Sequence, residues 1–306
     1  MGGAVAAWLD GGPDGRLHLQ HGPIDLVVGA DGGPDPAARL DALAAARVRF
    51  STILDELVGE LAFLKAPARP GGPRPAGSVA RRMTAAVEPF AGETFVTPMA
   101  AVAGAVADEV LAAMLAAVDP ARRPARIHVN DGGDIALHLD PGAAFRVGVA
   151  REDGAGLGRF IVTADDPSRG VATSGRGGRS LSMGIADSVT ILAANAAAAD
   201  AAATIVGNAV DLPGHPAVRR LPANDVVDDS DLGDRPVVVG VGALSAAETA
   251  TALAAGVTAA ERLAARGLIH AAALFLGREG RVVAPAGRPS LSGSPPLPQP
   301  EAARHA

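Results

Sequence analysis

Apolar and polar residues alternate with a period of two over several short runs of this chain, and with helical spacing over a few longer ones. Residues 17–28 read as a strand pair that turns near His21-Gly22-Pro23, with Ile24-Asp25-Leu26-Val27-Val28 as its second strand. Residues 37–47 and 51–64 predict two helices. Residues 66–77 are rich in Pro and Gly and predict a loop, either a functional lid or a surface connection. A helix is predicted over 100–118, with Thr97 as its N-cap and Pro98 in its first turn. Short strands follow at 127–129, 134–139, 145–149, 159–162 and 170–172, joined by turns such as Asp140-Pro141-Gly142. Further on the pattern predicts a strand at 188–193, an Ala-rich helix at 196–210, an acidic loop at 225–234 and a buried strand at 236–241. A helix in two parts about Gly256 is expected over 245–266, and a last strand over 271–276, giving a βαβ-like C-terminal part. This succession predicts an α/β (α+β) fold of mainly antiparallel sheets covered by helices. Residues 1–283 are expected to form one domain, divisible into two subdomains. Residues 284–306 are Pro- and Ser-rich without periodicity and predict a disordered tail.

Composition narrows the function. Of 306 residues, 48% are hydrophobic and 20% charged, the balance of a globular chain. The net charge is −6, no basic run occurs and aromatics make up 3%, so a nucleic-acid partner is excluded. Lys65 is the only lysine, so cationic contacts to phosphate fall to Arg, which favours bidentate geometry. Without cysteine there is no disulfide, thiolate metal site or thiol nucleophile. The longest apolar run, residues 191–206, is broken by Asn195 and Asp200, and the N-terminus lacks the pattern of a secretory signal. No membrane span is expected, and a cytoplasmic protein is the default.

Three stretches carry chemistry. In the first, Asn130-Asp131-Gly132-Gly133-Asp134, paired glycines after a strand allow a sharp turn and close ligand approach. Asn130 and Asp131 can bond a ribose or base edge, although Asp-Gly is equally a hairpin signal. In the second, Thr173-Ser174-Gly175-Arg176-Gly177-Gly178-Arg179, glycines allow an anion-binding nest and Arg176 and Arg179 can add bonds to phosphate. The alternative is a flexible loop whose arginines sit in water. In the third, Asp200 and Thr204 stand four apart on one helix face. They can offer two oxygens to one hard cation such as Mg²⁺, or be a solvated Asp and helix filler. The acidic run 228–234 lacks the following glutamate of a calcium loop. Gly240-Val241-Gly242 lacks the third glycine of a dinucleotide turn. No histidine pair has metal-ligand spacing on one helix.

The order of these stretches resembles the ApbE-like superfamily of FAD:protein FMN transferases, as a divergent branch of it. Gly104-Ala105-Val106-Ala107-Asp108 is similar to its aspartate helix, Asn130-Asp131-Gly132-Gly133-Asp134 to its N-x-G-G-D turn and Ala172-Thr173-Ser174-Gly175 to its A-T-S-G strand end. Ser188-Val189-Thr190 is similar to its S-V-T-V strand, and Ala199-Asp200-Ala201-Ala202-Ala203-Thr204 to its closing helix. The resemblance implies Mg²⁺ held by Asp200 and Thr204, with the FAD pyrophosphate against it. Asp108, Asn130, Gly132, Gly133, Asp134, Thr173, Ser174, Gly175, Arg176 and Arg179 would bind the cofactor. It also implies transfer of FMN to a Ser or Thr hydroxyl on a partner flavoprotein, with Asp200 and Thr204 catalytic, and it places Asp108, the Gly-Gly turn and the Asp200 helix in one cleft. Two positions depart from the family pattern: Ala103 replaces a lysine, and the interval 179–187 lacks an H-x-x-D-P segment.

Three functions are therefore carried forward. The first is an Mg²⁺-dependent flavin-nucleotide transferase or pyrophosphatase. The second, which the two departures favour, is a non-catalytic flavin- or nucleotide-binding protein. The third is an enzyme of different chemistry acting on an anionic small molecule with the same scaffold. The Ala-rich helices could also face a second subunit in a homo-oligomer.

Overall fold

The computed structural model describes residues 3–9, 12, 14–150, 156–178 and 180–284. Arg179 and the expected tail at 285–306 lie outside the described residues. The alternating runs form β1 (Val5–Trp8), β2 (Leu17–His21) and β3 (Ile24–Asp31). Every second side chain, from Leu17 and Leu19 to Leu26 and Val28, is buried. Next comes α1 (Pro36–Gly59), a single 24-residue helix where two are predicted. No Gly or Pro interrupts it. Ser51 and Thr52, which resemble a helix start, donate their hydroxyls back to the Val48 and Arg49 carbonyls from inside the helix. The short α2 (Leu61–Leu64) precedes the predicted loop. The pattern reading misses α3 (Ser78–Val87), although Val79, Ala80, Met83 and Val87 form a buried stripe at helical spacing.

A 3₁₀ turn, Pro98–Ala101, leads into α4 (Val102–Ala116). Thr97 does not cap this helix; its hydroxyl donates to Asp231 in the acidic loop instead. The stretch Pro98–Ala116 is long and apolar enough to cross a bilayer, and half of it is buried in the core. Then follow β4 (Arg126–Asp131), β5 (Asp134–Leu139), β6 (Ala144–Ala150), β7 (Gly156–Thr163), β8 (Gly170–Ser174), β9 (Ser188–Ala193) and α5 (Ala196–Ala209). The chain continues through β10 (Val218–Pro222), α6 (Ala223–Val226), β11 (Pro236–Val241), α7 (Ala246–Ala265), β12 (Ala271–Leu276) and β13 (Glu279–Val283).

Nine strands form one sheet in the order β1-β2-β3-β4-β5-β8-β9-β12-β13, and every pairing in it is antiparallel. The fold is thus α+β with a mainly antiparallel sheet. Helices cover one face: α1 packs on β2 and β3, α4 on β4 and β5, α5 on β8 and β9, and α7 on β12 and β13, with α3 against α4 and α5. The other face carries the β6–β7 hairpin, which seals a smaller core of Leu137, Val149, Phe160, Val162, Val171 and Leu192. Three expectations at the C-terminal end fail. The strand at 236–241 pairs only with β10 outside the main sheet and buries only Val237 fully. α7 runs unbroken through Gly256, which lies against Val210 and Leu274 where a Cβ would not fit. β12 lies antiparallel between β9 and β13, so there is no βαβ unit.

Candidate functional site

The Asn-Asp-Gly-Gly stretch is a tight hairpin between β4 and β5. Asp131 and Asp134 close it, and Gly132 and Gly133 take φ of 62° and 116°, a conformation that glycine adopts freely. Asn130 fixes the turn by accepting the Gly133 N–H through its side-chain oxygen at 2.9 Å. Asp134, at the start of β5, reaches across to accept the Thr173 N–H at 3.0 Å. The first stretch is therefore tied to the second.

A cleft of about 480 Å³ opens on the hairpin side of the sheet, within the usual range of ligand pockets. Its floor is the end of β5, β8 and β9, with Ile135, Val171, Thr173, Ser188 and Thr190. Val147 and Val149 of β6 wall one side, and Asn130 with the Gly-Gly turn forms the rim. Ser174, Arg176, Gly177, Gly178 and Asp187 complete it. Thr173 and Thr190 face each other across β8 and β9 with hydroxyls 2.9 Å apart. Ser188 is 6% exposed and its hydroxyl has no hydrogen-bond partner among the described residues.

The glycine-rich loop does not present a nest. The N–H groups of Arg176, Gly177 and Gly178 donate to the carbonyls of Ala186, Asp187 and Gly175. Nor does Arg176 sit free in water, because its guanidinium pairs with Asp187 at 2.5 Å. The second Asp187 oxygen accepts the Gly277 N–H at 2.6 Å, anchoring the pair to the β12–β13 turn.

Asp200, Thr204 and Asp108 lie on the opposite, helix-covered face. Ala172 points into the core beneath α5, whereas Val171 points to the hairpin side. The two groups approach each other at the sheet end, where a Cβ on Gly207 of α5 would lie 3.9 Å from the Ser174 hydroxyl. The helices α4 and α5 touch closely: a Cβ on Gly104 would lie 2.3 Å from the Ala196 carbonyl oxygen. Asp200 accepts the Gly104 N–H at 3.0 Å, and Asp108 accepts the N–H groups of Ala196 and Ala197 at 3.1 and 2.9 Å. Asp108 thus borders a separate cavity of about 250 Å³ with Arg82, Phe90 and Asn195, away from the Gly-Gly turn. The expectation that it shares one cleft with that turn does not hold, because its carboxylate is turned to the α5 N-terminus.

Burial raises the pKa of Asp134 to about 7, and the neighbouring Asp131 pushes it the same way. Asp200 is raised well above the ordinary carboxylate value by burial, then by the charges of Asp134 and Asp131. These carboxylates repel one another. The oxygen donors Asp200 and Thr204, one turn apart, with Asp134 nearby, suit Mg²⁺, which takes one or two carboxylates and leaves its other positions to water and phosphate. Among the described residues no group of three or more His, Asp or Glu side chains is placed to hold a metal ion. A cation here would need ligands from its substrate.

Sequence reasoning matched Ser188 and Thr190 to a family strand but gave them no role in the site, and it gave none to Asp187. The available signal was two polar residues at alternate positions of a strand otherwise apolar and buried on both faces.

A family profile described as AbpE bacteria matches residues 6–284. The chain belongs to that family. It is 36% identical over 159 residues to a UPF0280 protein of Methanosphaerula palustris, covering 51% of this chain and 63% of that protein. It is 32% identical over 199 residues to a UPF0280 protein of Methanosarcina acetivorans, covering 64% and 73%. A UPF0280 protein of Methanopyrus kandleri is 41% identical over 134 residues, 44% of this chain and 49% of that one. The chain therefore spans between half and three quarters of the length of these relatives. Among solved structures, the apo form of the Pseudomonas stutzeri flavinyl transferase ApbE aligns over 92% of this chain and 95% of its own, with a TM-score of 0.39 and 13% identity.

Proposed function

We propose that the chain handles a flavin nucleotide, with its ring end in the cleft and its phosphates directed to a Mg²⁺ ion at Asp200 and Thr204. The observation that carries this reading is the set of buried, mutually repelling carboxylates Asp131, Asp134 and Asp200 behind a hydroxyl-lined cleft. A divalent cation relieves that repulsion and, once bound, would neutralise charge on a transferring phosphoryl group. Asn130 at the rim and Thr173 on the floor would hold the ligand. The reaction would cleave the FAD pyrophosphate or transfer FMN to a Ser or Thr hydroxyl of a partner flavoprotein.

The Arg176–Asp187 pair favours a second reading. Among the described residues lining the cleft, Arg176 is the cation, and it is already neutralised. With Ala103 in place of the family lysine, that supports a binding protein without turnover. Flavin fluorescence separates the two. Titrating the protein into FAD with and without Mg²⁺, beside Asp200→Ala, gives a magnesium-dependent rise lost in the variant if the pyrophosphate is cleaved. A saturable change without product indicates binding alone, and no response to FAD removes the flavin reading.

A further inference from the structure

The cleft has a feature that the Mg²⁺ and phosphate chemistry does not use. Ser188 stands at the start of β9, on the same strand face as Thr190, and lines the cleft while only 6% exposed. Thr190 and Thr173 satisfy each other, but the Ser188 hydroxyl has no partner. An unsatisfied buried hydroxyl costs free energy in the folded state, so the residue is a burden to the protein alone. A valine at the same place would suit a strand buried on both faces.

The surroundings limit what could satisfy it. Ile135 and Val171 on the floor and Val147 and Val149 on the wall make the cleft largely aliphatic, in the manner of a slot for an apolar ring face. The two charged side chains lining it, Arg176 and Asp187, neutralise each other. A phosphate placed on this floor would lose its water and meet no free cation among the described residues, a heavy desolvation cost. An uncharged heterocycle loses little water at its faces and needs only a partner at its edge. A hydroxyl that both donates and accepts can meet either a ring carbonyl or a ring N–H.

We propose that the cleft floor takes the uncharged, planar heterocyclic end of the ligand, and that Ser188 is the specificity-determining residue that bonds its polar edge. This rests on the reading of the cleft as a flavin-nucleotide site and adds which end of the ligand enters it. Binding energy should then come mainly from the ring. Substrates that share the ring but differ in phosphate content should bind this floor alike.

The experiment uses the full chain with riboflavin, FMN and FAD as probes, following quenching of flavin fluorescence and the thermal melting of the free protein. Wild type is expected to bind riboflavin within about tenfold of FMN. Ser188→Ala is expected to weaken all three by about tenfold, the value of one lost hydrogen bond to a ligand. The free Ser188→Ala protein should melt no lower than wild type, because an unsatisfied group has been removed. Ser188→Thr, which keeps the hydroxyl, should bind more tightly than Ser188→Ala. A residue with only a structural role would shift the melting temperature and leave the affinities in place. If FMN and FAD bind but riboflavin does not, the charged end occupies the floor and the proposal is wrong, while the flavin reading stands. Unchanged affinity in Ser188→Ala likewise overturns the role of Ser188 alone. If wild type binds none of the three, both readings fall together.

Discussion

Asp108 of α4 accepts the first two N–H groups of α5, and Asp200 of α5 accepts the Gly104 N–H near the start of α4. Each helix therefore carries the carboxylate that caps the other. Free N–H groups at a helix start need such acceptors, and Gly104 lets the two backbones come close enough to exchange them. The arrangement sets two motif residues in different surroundings: Asp108 caps α5, whereas Asp200, which accepts backbone N–H groups of Gly104 and Ala103, also feels the charges of Asp134 and Asp131.

Removing the Asp108 carboxylate should destabilise the fold without touching ligand recognition. Asp108→Ala leaves the Ala196 and Ala197 N–H groups without their acceptor, at a cost of about 1–3 kcal/mol. Urea denaturation should show that loss, and the folded fraction should bind FAD as wild type does. A variant of wild-type stability with weakened binding would instead put Asp108 on the ligand.

The stability that Asp134 and Asp200 contribute should fall as the pH rises from about 4 to about 7, against an opposite contribution from His128 and His138, whose pKa values burial lowers. Asp134 and Asp200 have pKa values raised above the ordinary carboxylate value, Asp134 to about 7. In this window the native state keeps protons that the unfolded chain has released. The stabilisation from these groups is therefore complete below the unfolded pKa and is lost as the pH passes through the native one. At about 1.4 kcal/mol per unit, Asp134 accounts for an effect on the order of a few kcal/mol. Asp134→Asn should flatten the slope of denaturation free energy against pH. A slope equal to that of wild type would show that Asp134 titrates normally.

The Arg176–Asp187 pair offers a test of charge in the cleft. It is partly exposed on both sides, 38% and 21%, so breaking it should change stability by roughly 1 kcal/mol or less. Its effect on selectivity should be larger. Asp187→Asn leaves the guanidinium uncompensated and should favour FMN over riboflavin by about threefold to tenfold, a charge-assisted bond gained by phosphate. Arg176→Ala should leave riboflavin binding nearly unchanged. Measuring both ligands against both variants by fluorescence checks this, and equal ratios in all proteins would show that no phosphate comes within reach of Arg176.

The inner strands of the sheet were legible because most alternate or form short apolar runs and end in strong turn residues such as Gly132-Gly133 and Asp140-Pro141-Gly142, whereas the edge strands β1 and β13 were missed. Asp200 and Thr204 were legible as neighbours because helix spacing is local. The two faces were not. Whether Val171 and Ala172 look toward the hairpin or toward α5 depends on which elements pack on each side, and no local pattern records that. The same holds for α1, read as two helices over 37–47 and 51–64, and for Gly256, whose neighbours Val210 and Leu274 are distant in sequence. Ser188 was legible as part of a family strand but not as a site residue, because its meaning lies in a missing partner, visible only when the surroundings are in place.

Magnesium should stabilise the free protein, and should do so in proportion to the charge on Asp200. At pH 8 Asp134 is largely ionised and repels its neighbours, so a cation bound at Asp200 and Thr204 gains most there. A ligand that binds only the native state contributes about 2.7 kcal/mol at a hundred times its dissociation constant, enough for a clear rise in melting temperature. At pH 5 Asp134 holds its proton and the upward shift of Asp200 favours a proton there too, which Mg²⁺ must displace to bind, so the rise should shrink or vanish. Asp200→Asn keeps an acceptor for the Gly104 N–H but removes the charge, and should melt as well as wild type without Mg²⁺ and show no shift with it. Thr204→Val should reduce the shift without abolishing it. Differential scanning fluorimetry of these proteins at both pH values decides the matter: a shift that is the same at pH 5 and pH 8, or that survives in Asp200→Asn, would place the ion elsewhere on the chain.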